Sequence, residues 1–292
     1  MKKIFITGST GFLGSCVVKL LVTTGYEIHC LTRKSSNLFR LNNILNKINL
    51  VELDGVNFIN YFQEHQIDCV LHCATNYGRL EQNPINTIEA NLLLPLKILY
   101  AASISDVKSF INTDTILDKR INHYSLSKKQ FLSWLKTYSD NLICVNVALE
   151  HFYGPGDDPS KFVTMMLNEM LNNAEKIDLT AGEQKRDFIY IDDVVNAFIL
   201  ILKFISSQKN GFYEYEVGSG SSVKIKSLVK LIKELSNCQF TKLNFGAINY
   251  RGNEVMASAV DISNLLKLGW KPQDTLESGL LKTIEFEKSI RR

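Results

Sequence analysis

Two side chains four positions apart, in Tyr124-Ser125-Leu126-Ser127-Lys128, have the types and spacing for proton transfer. On a helix, positions i and i+4 share a face, so the phenol and the ammonium can point into one site. A nearby cation stabilises phenolate and lowers a tyrosine pKa from its reference of about 10, as a group exchanging protons near neutrality requires. A third member is expected upstream, in Asn112-Thr113-Asp114-Thr115 at the end of an apolar run. A hydroxyl there can hydrogen-bond a substrate carbonyl oxygen beside the phenol, with Thr113 the first choice and Thr115 the alternate. Spacing alone leaves open an ordinary surface helix and two turn-forming threonines.

What lies upstream narrows this. The run Ile4-Phe5-Ile6 is followed by Thr7-Gly8-Ser9-Thr10-Gly11-Phe12-Leu13-Gly14 and then by apolar residues at helical spacing, Leu13, Val17, Leu20 and Leu21. Strand, three glycines and helix in that order read as the first βα turn of a dinucleotide-binding fold. The glycines serve a tight turn, close backbone approach to a pyrophosphate, and close helix-to-strand packing. The free N–H groups and dipole of the helix start attract phosphate. Gly8, Thr10, Gly11, Phe12, Leu13 and Gly14 are therefore candidate cofactor contacts. The next strand ends in Leu31-Thr32-Arg33-Lys34, two cations where a fold preferring the unphosphorylated cofactor places an acid. Arg33, with Lys34 or nearby Arg40, suits a ribose 2′-phosphate, so NADPH is expected over NADH. Asp54 could accept from the adenine amino group.

Strand-like and helix-like runs alternate through the first half: 3–7, helix 12–24, 27–32, 50–53, helix 57–65, 69–73, helix 84–103, 109–112, helix 123–138 and 142–148. This alternation predicts βαβ units and an α/β fold with a doubly wound parallel sheet. After the turn cluster Gly154-Pro155-Gly156-Asp157-Asp158-Pro159 the pattern changes: helix 161–173, a strand near 177–180, helix 192–206, strand 213–217, helix 224–236, a strand near 240–245 and helix 261–267. Residues 1–154 are expected to form the dinucleotide domain, with later segments from about 186 to 217 contributing. Residues 155–292 are expected to form mainly a smaller substrate lobe. A formal charge of +3 without a basic block argues against nucleic acid. The apolar stretch 194–205 is too short for a bilayer. Only Met1-Lys2-Lys3 precede the first strand, and the six scattered cysteines lack zinc spacing, so a cytoplasmic protein with reduced thiols and no metal is expected.

Taken together these segments resemble the extended short-chain dehydrogenases/reductases. Residues 7–14 match T-G-x-x-G-x-x-G and residues 124–128 match Y-x-x-x-K. Thr113-Asp114-Thr115 stands where sugar-nucleotide 4,6-dehydratases carry Thr-Asp-Glu, and Arg186-Asp187-Phe188-Ile189-Tyr190 matches a segment of sugar-nucleotide epimerases, dehydratases and reductases. Residues 215–220, 251–254 and 269–272 resemble further family segments. Tyr77-Gly78-Arg79, Leu149-Glu150-His151-Phe152-Tyr153-Gly154 and Gln184 before Arg186 are similar to the CDP-paratose and CDP-abequose synthases, which reduce a 4-keto group. The resemblance implies a sugar-nucleotide substrate, with Arg186 and Arg251 on its pyrophosphate, and Tyr77, Arg79, Thr115 and His151 also at the substrate. It implies that Lys128 also contacts the nicotinamide ribose and that Asn91, Ala74, Thr75 and Asn76 lie near the cofactor. Thr75 departs from the family's usual glycine, and His151 stands where many relatives have asparagine. A homodimer through helices 84–103 and 123–138 is implied as well.

The departures favour net reduction. A 4,6-dehydratase uses the Asp-Glu pair as acid and base, and here the glutamate position is Thr115. An epimerase restores its cofactor each cycle, whereas a reductase takes fresh NADPH, which Arg33 and Lys34 suit. An epimerase, a dehydratase and a non-catalytic NADP(H)-binding sensor or scaffold stay as alternatives.

Overall fold

The computed structural model describes residues 2–78 and 83–291. The chain divides into two compact units: residues up to Leu149 with Val195–Glu216, and Glu150–Val194 with the residues from Val217 on. It thus leaves the first unit five residues before the Gly-Pro turn cluster begins at 154, and returns to it at Val195.

The first unit begins β1 (Lys3–Thr7), α1 (Phe12–Thr23), β2 (Glu27–Thr32), a 3-10 helix (Phe39–Lys47), β3 (Asn49–Glu52), α2 (Phe58–His65) and β4 (Cys69–His72). It continues α3 (Pro84–Ile88), a π-helical turn (Glu89–Leu93), α4 (Leu94–Ser103), β5 (Ser109–Thr115), α5 (His123–Thr137) and β6 (Ile143–Leu149). Then follow β7 (His151–Tyr153), α6 (Phe162–Leu171), β8 (Lys176–Leu179), β9 (Lys185–Tyr190), α7 (Ile191–Ile205) and β10 (Gly211–Val217). The chain ends with β11 (Ser222–Lys224), α8 (Ile225–Leu235), β12 (Lys242–Phe245), α9 (Ser263–Lys267) and α10 (Leu276–Ser289).

The central sheet has the order β10-β6-β5-β4-β1-β2-β3. The five pairings of β1 with β2 and β4, β2 with β3, and β5 with β4 and β6 are all parallel. This is the doubly wound α/β fold expected from the alternation, and its strands are apolar runs because helices cover both faces. Ile4, Phe5 and Ile6 are fully buried, and Phe5 meets Phe62 edge-on at 5.0 Å between ring centres. Strand order reverses between β1 and β4, whose last residues Thr7 and His72 are register partners. The crevice at such a reversal is where ligands of these sheets bind.

In the second unit β9 pairs antiparallel with β11 and parallel with β7, while β8 pairs with β12. Ile225, Leu228, Val229 and Ile232, at helical spacing, give α8 its buried stripe. The Asp193 carboxylate accepts from the Gln273 and Asp274 N–H groups, and its carbonyl from Trp270 Nε1, which ties down the 269–274 segment.

Two features depart from the sequence expectation. The run 84–103 is not one α-helix: Pro95 lacks the N–H that would bond the Asn91 carbonyl, and the chain adapts with the π-helical turn 89–93. The helix α10 went unforeseen, as did the 3-10 helix and the strands β7, β9 and β11. Its Thr275 cap accepts from the Ser278 N–H, and Leu280, Thr283, Ile284 and Glu287 are buried at helical spacing. No helix among the described residues is long and apolar enough to cross a membrane.

Gly279 of α10 lies against the Tyr153 hydroxyl, and an added Cβ would also come within 2.9 Å of the Tyr190 ring. Alanine in a helix gains about 1 kcal/mol over glycine, yet overpacking here costs about 1–3 kcal/mol. Gly279→Ala is therefore expected to lower the urea midpoint; an unchanged or raised midpoint would show that the tyrosine pair yields without cost.

Candidate active site

The glycine turn is shaped by contact rather than by sequence habit. Gly8 has φ +68°, and a Cβ on it would lie 2.5 Å from the Ala74 nitrogen. A Cβ on Gly14 would overlap the Gly8 carbonyl oxygen. Neither position admits a side chain, so the turn, the start of α1 and the loop after β4 close on one another as a backbone cradle. Thr10, Gly11, Phe12 and Leu13 form its rim, with Gly11 N–H donating to the Gly8 carbonyl at 3.0 Å. The N-terminus of α1, with no acid in its first turn, suits a dinucleotide pyrophosphate.

Threonine 7 joins the two strand ends. Its hydroxyl accepts from the Ala74 N–H at 3.1 Å and shares a hydrogen bond with His72 Nδ1 at 2.8 Å. His72 is wholly buried, and burial, with Lys128 adding to it, holds the imidazole well below its ordinary 6.5. From the π-helical turn, Asn91 clamps the next part of the loop. Its Oδ1 accepts from Asn76 N–H at 2.8 Å and from the Thr75 hydroxyl at 3.3 Å. Its amide donates to the Asn76 carbonyl at 2.8 Å and to Ser127 Oγ at 3.1 Å. With all four bonding capacities used internally, Asn91 positions the loop 74–76 rather than presenting its side chain outward.

Helix α5 starts with a reciprocal cap: Asn122 Oδ1 accepts from the Ser125 N–H at 2.8 Å, and Ser125 Oγ from the Asn122 N–H at 3.3 Å. This fixes the first turn, which carries Tyr124. The half-buried Tyr124 ring lies 5.1 Å from that of exposed Tyr77. One turn on, Lys128 is 1% exposed and donates to the Thr113 carbonyl at 2.9 Å. Burial pushes its ammonium down to about 8, against the pull of Asp114. The structure thus brings Tyr124, Lys128 and the end of β5 together in one unit. The Thr113 hydroxyl, however, donates to the His72 carbonyl at 3.0 Å, while that of Thr115 accepts from the Leu117 N–H at 3.2 Å. Asp114, which the family motif makes a candidate acid, is engaged on both oxygens: it accepts from Lys129 Nζ at 2.8 Å, Asn146 Nδ2 at 3.1 Å and the Thr115 N–H at 2.7 Å.

At the far end of the turn Arg33 is exposed and makes no ion pair among the described residues, whereas Lys34 pairs with Glu52 at 3.2 Å. Arg40 lies over the Phe39 ring at 4.6 Å, and Asp54 is exposed. Arg79 falls outside the described residues. No group of three or more His, Cys, Asp or Glu among the described residues could hold a metal ion.

In the second unit, Arg186 on β9 pairs with Glu254 at 2.6 Å and donates to the Lys185 carbonyl. Arg251 is exposed in the loop that carries Glu254. His151 donates from Nδ1 to the buried Glu150 at 3.2 Å and lies 5.5 Å from the Phe188 ring. Burial raises the Glu150 pKa, but His151, the Ser258 hydroxyl and Arg186 outweigh it and hold the carboxyl below its ordinary value. Asp187 accepts from the Ser219 and Gly220 N–H groups at 2.7 and 2.8 Å. Among these residues His72, Ser127, Lys129, Glu150 and Asp187 had no assigned role from sequence. Glu150 and Asp187 lay beside motif residues, the one signal available.

A glycine cradle at the reversal of a doubly wound sheet, with a tyrosine and a buried lysine beside it, defines a dinucleotide-dependent enzyme of the oxidoreductase type. The chain belongs to the NAD dependent epimerase/dehydratase family, whose sequence profile matches residues 4–218, within the extended short-chain dehydrogenases/reductases. It is 34% identical to CDP-abequose synthase of Salmonella muenchen, over 98% of each chain. Identity to CDP-abequose synthase of Salmonella typhimurium is 32%, over 95% of each. Among solved structures, UDP-glucose 4-epimerase of Thermotoga maritima with UDP-glucose matches with a TM-score of 0.86 at 25% identity, over 99% of this chain and all of that one.

The buried neutral His72 makes stability depend on pH. Its folded pKa lies below 6.5, so the unfolded chain binds more protons and stability rises with pH between the two values. The contribution is complete above about 6.5 and is lost as pH falls towards the folded pKa. His72→Asn keeps an acceptor for Thr7 without a titrating ring, and its urea midpoint should fall less than the parent's between pH 7 and pH 5. Parallel declines would remove His72 as a source of the acid sensitivity.

Proposed function

We propose that this enzyme reduces the 4-keto group of a nucleotide-linked deoxyhexose, resembling a CDP-4-keto-3,6-dideoxyhexose, with NADPH, in deoxysugar biosynthesis for a surface polysaccharide. The observation that carries the choice of reaction is the state of Asp114. A 4,6-dehydratase needs a carboxyl acid and base beside the tyrosine, and here the one carboxylate of β5 is engaged by Lys129, Asn146 and a backbone N–H while Thr115 stands in the second position. Tyr124 and Lys128 are left as the proton-transfer pair. The deoxysugar and its CDP carrier are supported by the names of the two Salmonella relatives, matched over nearly their full lengths.

The bound nicotinamide supplies a hydride to the sugar carbonyl carbon. Tyr124 donates its hydroxyl proton to the C4 oxygen as negative charge develops there. The Lys128 ammonium favours the resulting phenolate and hydrogen-bonds the nicotinamide ribose. Thr113 orients the carbonyl by turning its hydroxyl from His72, and Thr115 is the alternate because its own proton is not committed. Gly8 to Gly14 hold the pyrophosphate, Ala74 and Thr75 line the nicotinamide side, Asn91 acts through that loop, and Asp54 meets the adenine. Arg33 takes the 2′-phosphate, with Lys34 released from Glu52 as its helper. Arg186 and Arg251 hold the diphosphate of the sugar nucleotide by charge-assisted hydrogen bonds. Tyr77, Arg79 and His151 complete its surroundings.

A homodimer through helices 84–103 and 123–138 is supported by their exposed Leu93, Tyr100, Leu126 and Trp134. A cytoplasmic site of action fits six free cysteines.

NADPH oxidation is expected with 4-keto-6-deoxy or 3,6-dideoxy sugar nucleotides, and no turnover with any of a panel would sink the reductase reading. Cofactor binding without turnover would favour a sensor or scaffold. Tyr124→Phe should lower kcat by about 10²- to 10⁴-fold; retained turnover would remove Tyr124 from its role. Arg33→Ala should weaken NADPH binding by about tenfold or more while leaving NADH binding nearly unchanged, and equal losses for both would overturn the 2′-phosphate assignment.

A further inference from the structure

Lysines 128 and 129 are neighbours on α5, and both donate to the end of β5. Lys128 Nζ reaches the Thr113 carbonyl at 2.9 Å, and Lys129 Nζ the Thr115 carbonyl at 2.6 Å. Between these two carbonyls sits Asp114, whose side chain is fully buried and which Lys129 engages at 2.8 Å from a side chain that is 25% exposed. Asn146, itself bonded to Asp114 at 3.1 Å, passes its second amide hydrogen to Glu214 at 3.2 Å. One lysine is therefore wholly enclosed, while the other caps a buried carboxylate from the rim.

We propose that Lys129 is a positioning residue: by holding the Asp114 carboxylate and the Thr115 carbonyl, it withdraws that carboxylate from proton transfer and sets the charge balance in which Lys128 works. This rests on the reductase reading above, in which Lys128 supports the proton donor. Two charges of opposite sign act on Lys128 from this side. Asp114 favours its ammonium form and Lys129 disfavours it, so Lys129 offsets part of the pull of Asp114 and burial outweighs both. The other titratable groups facing Lys128 are His72 at the end of β4, Cys73 just after it and Tyr124 one turn back on its own helix. Without Lys129, Asp114 would be a buried, uncompensated anion, which is costly and raises the Lys128 pKa.

The pair gives opposite expectations for its two members. In Lys129→Met the titration of Lys128 should move to higher pH, by about one unit; in Asp114→Asn it should move to lower pH by a similar amount; in Lys129→Arg, which keeps the charge, it should stay within a few tenths. The titration is read directly from the Lys128 side-chain signals in 15N- and 13C-lysine NMR of the full chain without substrate or cofactor. The same shifts should appear in the alkaline limb of kcat with KM little changed. Shifts of one sign in both variants, or none, would overturn the proposal, because mere loss of packing has no reason to act with opposite signs. If Lys129→Met does not fold, the Asp114→Asn and Lys129→Arg pair decides by the same criterion. Opposed NMR shifts in an enzyme that turns over no keto sugar would reject the reductase reading alone, and normal turnover with unmoved titrations would reject the Lys129 role alone.

Discussion

The buried Lys128 ammonium is the constraint on which the site depends. A charge in that position must be hydrogen-bonded, and the partner it finds is the Thr113 carbonyl at the end of β5. That contact needs α5 to lie close against the strand, which the small buried Ser125 and Ser127 permit and the reciprocal cap at Asn122 orients. Burial, with the Lys128 charge adding to it, likewise keeps His72 neutral, and its Nδ1 is hydrogen-bonded to the Thr7 hydroxyl. Thr7 in turn holds the Ala74 N–H, so the loop after β4 is joined through two side chains to the neighbourhood of the lysine.

Around that constraint the backbone is drawn together to distances that exclude side chains. Gly8 against Ala74 and Gly14 against the Gly8 carbonyl close the switch point of the sheet. Asn91 holds the continuation of the loop from a π-helical turn, which exists because Pro95 cannot complete the α-helical ladder. The irregular turn and the loop it grips thus have one cause in the sequence.

The parts of this arrangement that could be read beforehand are those encoded within a few residues. The glycine spacing, Tyr124 with Lys128, and the strand-helix alternation are local patterns, and the sheet they imply is doubly wound as expected. Bonds between distant residues were not legible: Lys129 to Asp114 spans 15 positions, Asn146 to Asp114 spans 32, and Ser258 to Glu150 spans 108. Nothing in the pair Lys128-Lys129 says which lysine will be enclosed, because that depends on how α5 is rotated on β5. For Thr113 the register told where the hydroxyl sits but not that its proton goes to the His72 carbonyl. Helix α10 was different, since Thr275 and the buried positions after it carried a helical signal that the preceding Gly269-Trp270-Lys271-Pro272 turn overshadowed.

The buried acids support the choice of tyrosine and lysine in the proposed reaction. Asp187 and Asp193 each accept two backbone N–H groups from a loop, and Asp114 accepts one together with Lys129 and Asn146. A carboxylate enclosed in this way is a loop anchor, its oxygens committed to the N–H groups that hold the loop. Glu150, held by His151 and Ser258, follows the same pattern. In the proposed reaction these four acids remain anchors, and the proton comes from Tyr124, a half-buried phenol on the cap turn of α5, one helical turn from the buried Lys128 ammonium.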